Sequence, residues 1–336
     1  TWIRTLLALL GTLLVMAAII AALGASPLAT GKAIITGALG NKFNLGQTIV
    51  VSSVLILTGL AAAIPFSARL WNVGGEGQMT IGAIVAAIVG IVIPGQWPAL
   101  LVVPVVALAA LIGGSLWAMI PGWLKARFDA SEIVTSLMLN FITLYIADWV
   151  IFNGFPQGVQ QTRSIISNAR LPRPWQGWLV DIGVFIALAA AVVAFVAVAR
   201  TRLGFSIRAI GANARASRLA GVRTSSVTVR AFLLAGAFAG LAGALIVQGR
   251  DGALLLNFSA SFGYLGIGVA LVARLHPLWV VPSALVFGIL RVGSNSLQAA
   301  VGLSPSLGIA MVALFILLLM LGKVIRFKYP ESSDAH

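Results

Sequence analysis

The feature that most constrains this chain is a succession of apolar stretches, each about the length of a bilayer and parted from the next by a short polar break. A spanning helix needs roughly 20 mostly apolar residues, since 1.5 Å of rise per residue must cover about 30 Å of hydrocarbon. Ten stretches meet or approach that length, near residues 5–24, 47–65, 77–94, 99–120, 132–152, 181–199, 231–248, 262–275, 277–293 and 306–322. Backbone amides cannot stay unpaired in lipid, so stretches of this kind fold as helices. The expected fold is an all-α polytopic membrane protein of about ten transmembrane helices, one transmembrane domain over residues 1–336. The eighth stretch is the shortest, which allows a bent or re-entrant segment there. The first follows Arg4, ends near LGASP and exceeds the ~7–15 apolar residues of a signal peptide, so it reads as an uncleaved anchor.

Charge sets orientation. Only 9% of residues are charged, against roughly 25% in soluble proteins, and the net charge is +14. Such a balance can mean nucleic acid, but here the arginines sit between apolar runs and no RNA-binding signature accompanies them. They act as topology signals. With the N-terminus inside, 15 of the 22 Lys and Arg fall inside and 7 outside. Both termini, the 200–230 loop and a 323–336 tail are therefore expected in the cytoplasm. Two outer segments are long enough to carry structure, Ser26–Gly46 and 153–180. Pro172, Pro174, Trp175 and Trp178 suit an ordered interfacial loop in the second, where a soluble partner could dock. Cysteine is absent, which removes disulfide and thiol chemistry.

Within TRLGFSIRAIGANARASRLAGVRTSSVTVR, Thr201–Arg230, there is no acidic residue. Asn213 can cap a short helix and Gly221 can end it in the left-handed conformation. Ala216, Leu219 and Ala220 form an apolar stripe on it. Two turns cannot cross a bilayer, so the piece reads either as a solvated basic loop or as a surface helix offered to a partner.

Polar groups inside spans are costly and face the protein interior or a water-filled path. WNVGGEGQMTIG carries Asn72, Glu76 and Gln78; its glycines suit bent or closely approached backbone, and Glu76 stands where a helix N-terminus favours a carboxylate. Glu76 is either a structural cap or a contact at the mouth of a broken helix. Glu132, Ser136, Asn140 and Thr143 fall on one helical stripe, which we read as facing a pathway rather than a helix contact. In QGRDGALLLNFSASFGYLGIG, Asn257 and Tyr264 interrupt a glycine-rich stretch, and the aromatics can stack on a planar ring or simply pack. Gly236, Gly240 and Ala244 follow the small-xxx-small spacing of close helix contact, within or between subunits. Two glycine-rich polar breaks each precede an apolar run, so spans 2–5 and 7–10 form a weak inverted repeat. P-loop, H-E-x-x-H and nucleophile-elbow motifs are missing, which leaves no catalytic or metal-site reading and requires any ATP to be handled elsewhere.

GFSIRAIGANARASRLAGV, Gly204–Val222, resembles the coupling loop of permease subunits of ATP-binding-cassette (ABC) importers, the branch that carries branched-chain amino acids, ribose and nucleosides. Gly204, Arg208, Ala209, Gly211, Asn213, Ala216 and Gly221 carry the match; Ser217 and Val222 depart mildly from it. WNVGGEGQ, PGWLKARFDASEIVTSLMLNFI and FGYLGIGVALVARLHPL resemble the signatures of the nucleoside-type members, with Arg274 standing where those have Gly. The resemblance runs from about residue 47 to near the end. It implies two cytoplasmic ATPase subunits that bind ATP and Mg, a second and distinct permease, an external binding protein and a bacterial inner-membrane location. It implies that Asn213–Gly221 is the coupling helix, with Arg208, Arg215 and Arg218 facing the ATPase. We expect Asn72, Glu76, Gln78, Asn140, Asn257 and Tyr264 on the substrate path, where polar amides can meet ribose hydroxyls or base edges and aromatics can stack on a base. Nucleosides are the first expectation, sugars such as ribose, galactose or galactofuranose the second. A secondary transporter or channel that works without ATPases is the rival from another class.

Overall fold

The computed structural model describes residues 11, 14–22, 24–158, 160–304, 306, 307, 310, 313 and 314. Among them, seven helical segments are long and apolar enough to cross a membrane. These are α3 (Lys42–Ser67), α4 (Gly75–Val92), α5 (Ala99–Phe128), α6 (Glu132–Trp149) with its π-helical extension Val150–Gly154, α7 (Gly183–Arg200), α10 (Thr224–Leu245) with the π-helical Ile246–Asp251, and α12 (Pro277–Gly293) continued through α13 (Leu297–Val301). Shorter helices are α1 (Leu14–Ala22), α2 (Pro27–Leu39), α8 (Arg202–Ala212), α9 (Ala214–Leu219) and α11 (Phe262–Val272).

The described residues thus hold seven such spans rather than the expected ten. The eighth expected span is α11, whose 11 residues rise only about 16 Å. The first and tenth lie largely outside the described residues. The Ser26–Gly46 segment, expected as surface chain, is α2 and the start of α3. Its Gly and Thr residues masked the helical spacing of Ala33, Ile34 and Ala38, all buried.

The described residues form two compact units: Ala38–Ile289, and the chain to either side of it. In the smaller unit Gly37 backs onto Ser296 and Gly293 onto the Ile34 carbonyl. In the larger, α3 is apolar all round and buried on nearly every side, as a central helix must be. Against it pack α11, α10 and α7, and α4, α5 and α10 pack on one another at backbone distance. A Cβ on Gly82 would stand 2.4 Å from Gly240 Cα, and one on Gly236 2.2 Å from the Gly114 carbonyl oxygen. The Gly236, Gly240, Ala244 stripe therefore packs within the subunit, against α4 and α5.

Between α6 and α7 the 153–180 loop closes over the end of α10. Thr162 N–H donates to the Leu254 carbonyl (3.0 Å), Leu256 N–H to Gln160 (2.8 Å), Ile165 N–H to Gly252 (2.9 Å) and Leu171 N–H to Gln248 (2.9 Å). Buried Gln248 returns its amide N–H groups to Ala169 (2.9 Å) and Val103 (3.2 Å). A loop with so many paired amides is ordered by its own backbone chemistry.

Candidate functional site

The two glycine-rich polar breaks meet. After α3 the chain turns at Arg69, φ +57°, and runs without helix to Gly74. Asn72 and Gln78 exchange side-chain amide bonds in both directions, at 3.1 and 2.9 Å, and Gly74 N–H donates to Asn72 Oδ1 (3.1 Å). Glu76, in the first turn of α4, points its carboxylate across to the first turn of α11. There it accepts Gly263 N–H at 2.8 Å, the Tyr264 N–H and the Ser259 hydroxyl. The first N–H groups of a helix have no partner inside it and carry its positive end, so a carboxylate is the natural occupant. The helices approach so closely that a Cβ on Gly263 would stand 2.3 Å from Glu76 N and 2.4 Å from its Cα.

Asn140 locks this joint from α6. Its Oδ1 accepts Gly77 N–H (2.9 Å), while Nδ2 donates to the Val73 carbonyl (3.0 Å) and the Tyr264 hydroxyl (3.1 Å). Eight residues beyond Glu132, Asn140 stands about 12 Å along a segment roughly 34 Å long. The joint therefore lies inside the span, about a third of the way across.

The structure thus gathers Asn72, Glu76, Gln78, Asn140 and Tyr264, and it sorts them. Asn72, Glu76, Gln78 and Asn140 are buried and bonded to one another or to backbone. Tyr264 is half-exposed, and because its hydroxyl accepts from Asn140 its own proton remains to be donated outward. Asn257 stands apart, exposed at φ +57° in the link that leads to α11. The Glu132, Ser136, Asn140, Thr143 stripe, read from sequence as facing a pathway, is buried, and Asn140 binds α4 through Gly77. The spacing showed a shared face but not which way it turns. The lipid-apolar residues Phe141, Ile142, Leu144 and Tyr145 face outward instead.

At the Ser67 end of the bundle sits the basic loop. Thr201 caps α8 through Gly204 N–H (3.1 Å), and Asn213 caps α9 through the Arg215 and Ala216 N–H groups, both at 3.0 Å. Gly221, φ +85°, follows α9. Ser217 is the buried residue of α9, whereas Leu219 is 85% exposed and Ala216 and Ala220 are exposed beside it. Gly204 lies against the last turns of α7, with a Cβ there 2.2 Å from the Val198 carbonyl oxygen; the Arg208 guanidinium donates to that same carbonyl. Gly211 lies against the end of α3, with a Cβ there 2.0 Å from Ser67 O. Arg215 and Arg218 are exposed.

Sequence reasoning passed over several residues of this region. Gly263 was seen only as part of a glycine-rich run, although its neighbour in space is the backbone of Glu76. Glu132 was assigned to the stripe, yet its carboxylate lies 3.3 Å from Lys125 Nζ and 3.4 Å from Trp71 N–H. The E-x-x-x-S-x-x-x-N spacing that carries Asn140 was the available signal, because it puts Glu132 two turns below on the same face.

Comparison with known proteins agrees with this architecture. Residues 44–323 match the family described as branched-chain amino acid transport system / permease component. A glucose ABC transporter permease of Haloferax volcanii is 33% identical over 94% of this chain and 86% of its own length. A guanosine ABC transporter permease of Bacillus subtilis is 33% identical over 88% and 86%, and a nucleoside ABC transporter permease of Lactococcus lactis subsp. cremoris 30% over 97% and 93%. No solved structure matches. A match across most of the chain, on a bundle of apolar helices, makes this a multi-pass membrane protein and a transport subunit: the chain belongs to the branched-chain amino acid transport system / permease component family of ABC transporters.

Proposed function

We propose that this chain is the permease subunit of an ATP-driven importer for nucleosides. The observation that carries the reading is the joint at Glu76 and Gly263. Its charge is consumed in capping α11, so what it offers outward is uncharged: the ring and hydroxyl proton of Tyr264, with exposed Ser261 and Asn257 on the approach. A planar base can stack on the ring, and ribose hydroxyls can meet the hydroxyl and amide groups. A neutral solute would cross with no compensating charge in the path. The guanosine and nucleoside permeases among the relatives support this substrate.

The basic loop supports ATP coupling. Asn213–Gly221 presents the exposed Leu219, Arg215 and Arg218 to two cytoplasmic ATPase subunits, which bind ATP and Mg. On this reading the loop and both termini lie in the cytoplasm of a bacterial cell. A distinct second permease completes the path, and an external binding protein delivers substrate to the 153–180 loop. Sugar import is the second reading, favoured by the glucose permease of similar identity. Uptake of labelled uridine and adenosine, beside ribose, galactose and glucose, decides between them in cells with and without this gene. Loss of nucleoside uptake alone, restored by the intact gene, fits the proposal. Loss of sugar uptake alone moves the substrate to the second reading. Uptake that persists when the ATPase subunits are removed would instead mean a transporter that works without them.

A further inference from the structure

The non-helical segment 68–74 connects the basic loop to the joint, and it is held from both ends. At its lower end, α8 packs Gly211 against Ser67 O, the last residue of α3. At its upper end, Asn140 and Gln78 grip Val73 and Asn72. At its start the Ala68 and Leu70 N–H groups fold back on the Pro65 carbonyl (2.9 and 3.0 Å) and Arg69 N–H on Phe66 O (2.9 Å), and further on Asn72 N–H reaches Leu70 O at 3.2 Å. The Trp71 N–H goes to a side chain, Glu132 Oε1 at 3.4 Å. Glu132 is 8% exposed, and its other oxygen faces Lys125 Nζ at 3.3 Å. Lys125 also holds Asp129 at 2.7 Å in the α5–α6 turn. The short helix α9 thus reaches the base of the segment through α8, which packs against Ser67. Glu132 is the group that fastens the turn to the segment.

We infer that Glu132 is a positioning residue for transport. Its carboxylate, steered by Lys125, ties the Trp71 N–H to the α5–α6 turn, so that displacement of α9 carries the 68–74 segment with it and shifts the capping of α11 by Glu76. The inference rests on the proposed ATP coupling. A side-chain fastening suits such a role, because it can lengthen or re-form without unwinding a helix, whereas helical backbone bonds move only as a block. The Arg69 turn, a non-glycine residue at positive φ, provides the bend about which the segment swings.

The test is made on the whole importer, reconstituted in proteoliposomes with its ATPases, second permease and binding protein. The readouts are ATP hydrolysis and labelled substrate taken up per ATP. Glu132→Ala removes the acceptor; Glu132→Gln keeps an acceptor oxygen for Trp71 and loses the charge. Trp71→Pro removes the N–H itself, and Trp71→Phe keeps it along with an aromatic ring against Phe66. Alterations within coupling networks shift function by several-fold, so Glu132→Ala and Trp71→Pro are expected to lower uptake per ATP about fivefold while hydrolysis continues. Glu132→Gln and Trp71→Phe stay near the parent ratio. An unchanged ratio in both disruptive variants overturns the inference. Equal losses in Gln and Ala also overturn it, since the ion pair and not the Trp71 bond would then matter. If Glu132→Ala fails to assemble, the Trp71 pair decides alone. A parent complex whose uptake needs no ATP would refute the underlying transporter reading rather than the role of Glu132.

Discussion

Two stretches of non-helical chain reach the Glu76–Gly263 joint from opposite ends of the bundle, and they are built differently. The 252–261 stretch is bound by backbone: Gly252, Leu254 and Leu256 pair with Ile165, Thr162 and Gln160 of the 153–180 loop. Arg250 adds a bond to the Phe258 carbonyl at 2.8 Å and lies 5.6 Å over the Phe262 ring. The 68–74 stretch turns on local backbone bonds to Pro65 and Phe66, but it is tied to the neighbouring helices by side chains, those of Glu132, Asn140 and Gln78. Backbone pairing fixes a register and resists small displacements. Side-chain fastening allows them, because each bond can be exchanged singly. The asymmetry makes the first stretch the frame of the joint and the second its adjustable side.

Gly263→Ala should have the largest effect, because it strikes where both stretches end. The added methyl meets backbone of Glu76, which cannot step aside as a side chain can. Overpacking of this kind costs about 3 kcal/mol. Loss of the carboxylate cap on α11 adds to it. Thermal unfolding of the purified protein should show a clear drop in Tm, and uptake should vanish. A variant with parental Tm and uptake would mean that the helices do not meet at this distance.

Thr162→Val is expected to be milder and confined to the frame. It keeps the shape and removes the oxygen that accepts Leu254 N–H at 3.1 Å. Leaving a buried donor unpaired costs about 1–2 kcal/mol, so amide exchange across 252–256 should speed up roughly tenfold. Exchange at Trp71 and Val73 should not change. Equal acceleration in both stretches would erase the distinction between frame and adjustable side.

How legible this arrangement was from sequence follows from the same contrast. Apolar runs are local, so seven spans were legible, although those of α5, α10 and α12 run seven or eight residues past an expected bound, and Asn213 and Gly221 were recognisable as the ends of a short helix. Close helix contact was legible at Gly236 and Gly240, because small residues at spacing four leave few other uses. The joint itself was only half legible. Asn72, Glu76, Gln78 and Asn140 announced themselves as polar groups in apolar surroundings, but polarity does not say whether a group faces a path or a neighbour. That was settled by contacts 63 to 187 residues distant, Gly77 with Asn140 and Glu76 with Gly263. The pairing of 160–165 with 252–256 left no periodic mark at all, since the segments are short and irregular. The length of α11 was misread for a related reason: apolar residues continue past Val272, while the backbone turns at Arg274 and Leu275, both at positive φ.

The smallest expected effect concerns the base of the adjustable side. Asp129 ends α5 in the left-handed conformation, φ +51°, fully exposed beside Lys125. The hydrogen bond and charge of Lys125 hold its carboxyl below the usual carboxylate range. A depressed folded-state value means that the contribution is present above the unfolded value, about pH 4, and is lost as pH falls through the lower folded one. Water screens an exposed pair, so the contribution is small. Asp129→Asn should therefore lower Tm slightly and evenly from pH 8 to about pH 5, and the difference from the parent should close at lower pH. Because Lys125 is shared, removing Asp129 also leaves it to Glu132 alone, which strengthens the steering of the Trp71 acceptor. Uptake per ATP in this variant should match or slightly exceed that of the parent. A fall in uptake per ATP at unchanged Tm would show that Asp129 carries more of the motion than Glu132 does, and would move the adjustable fastening to the end of α5.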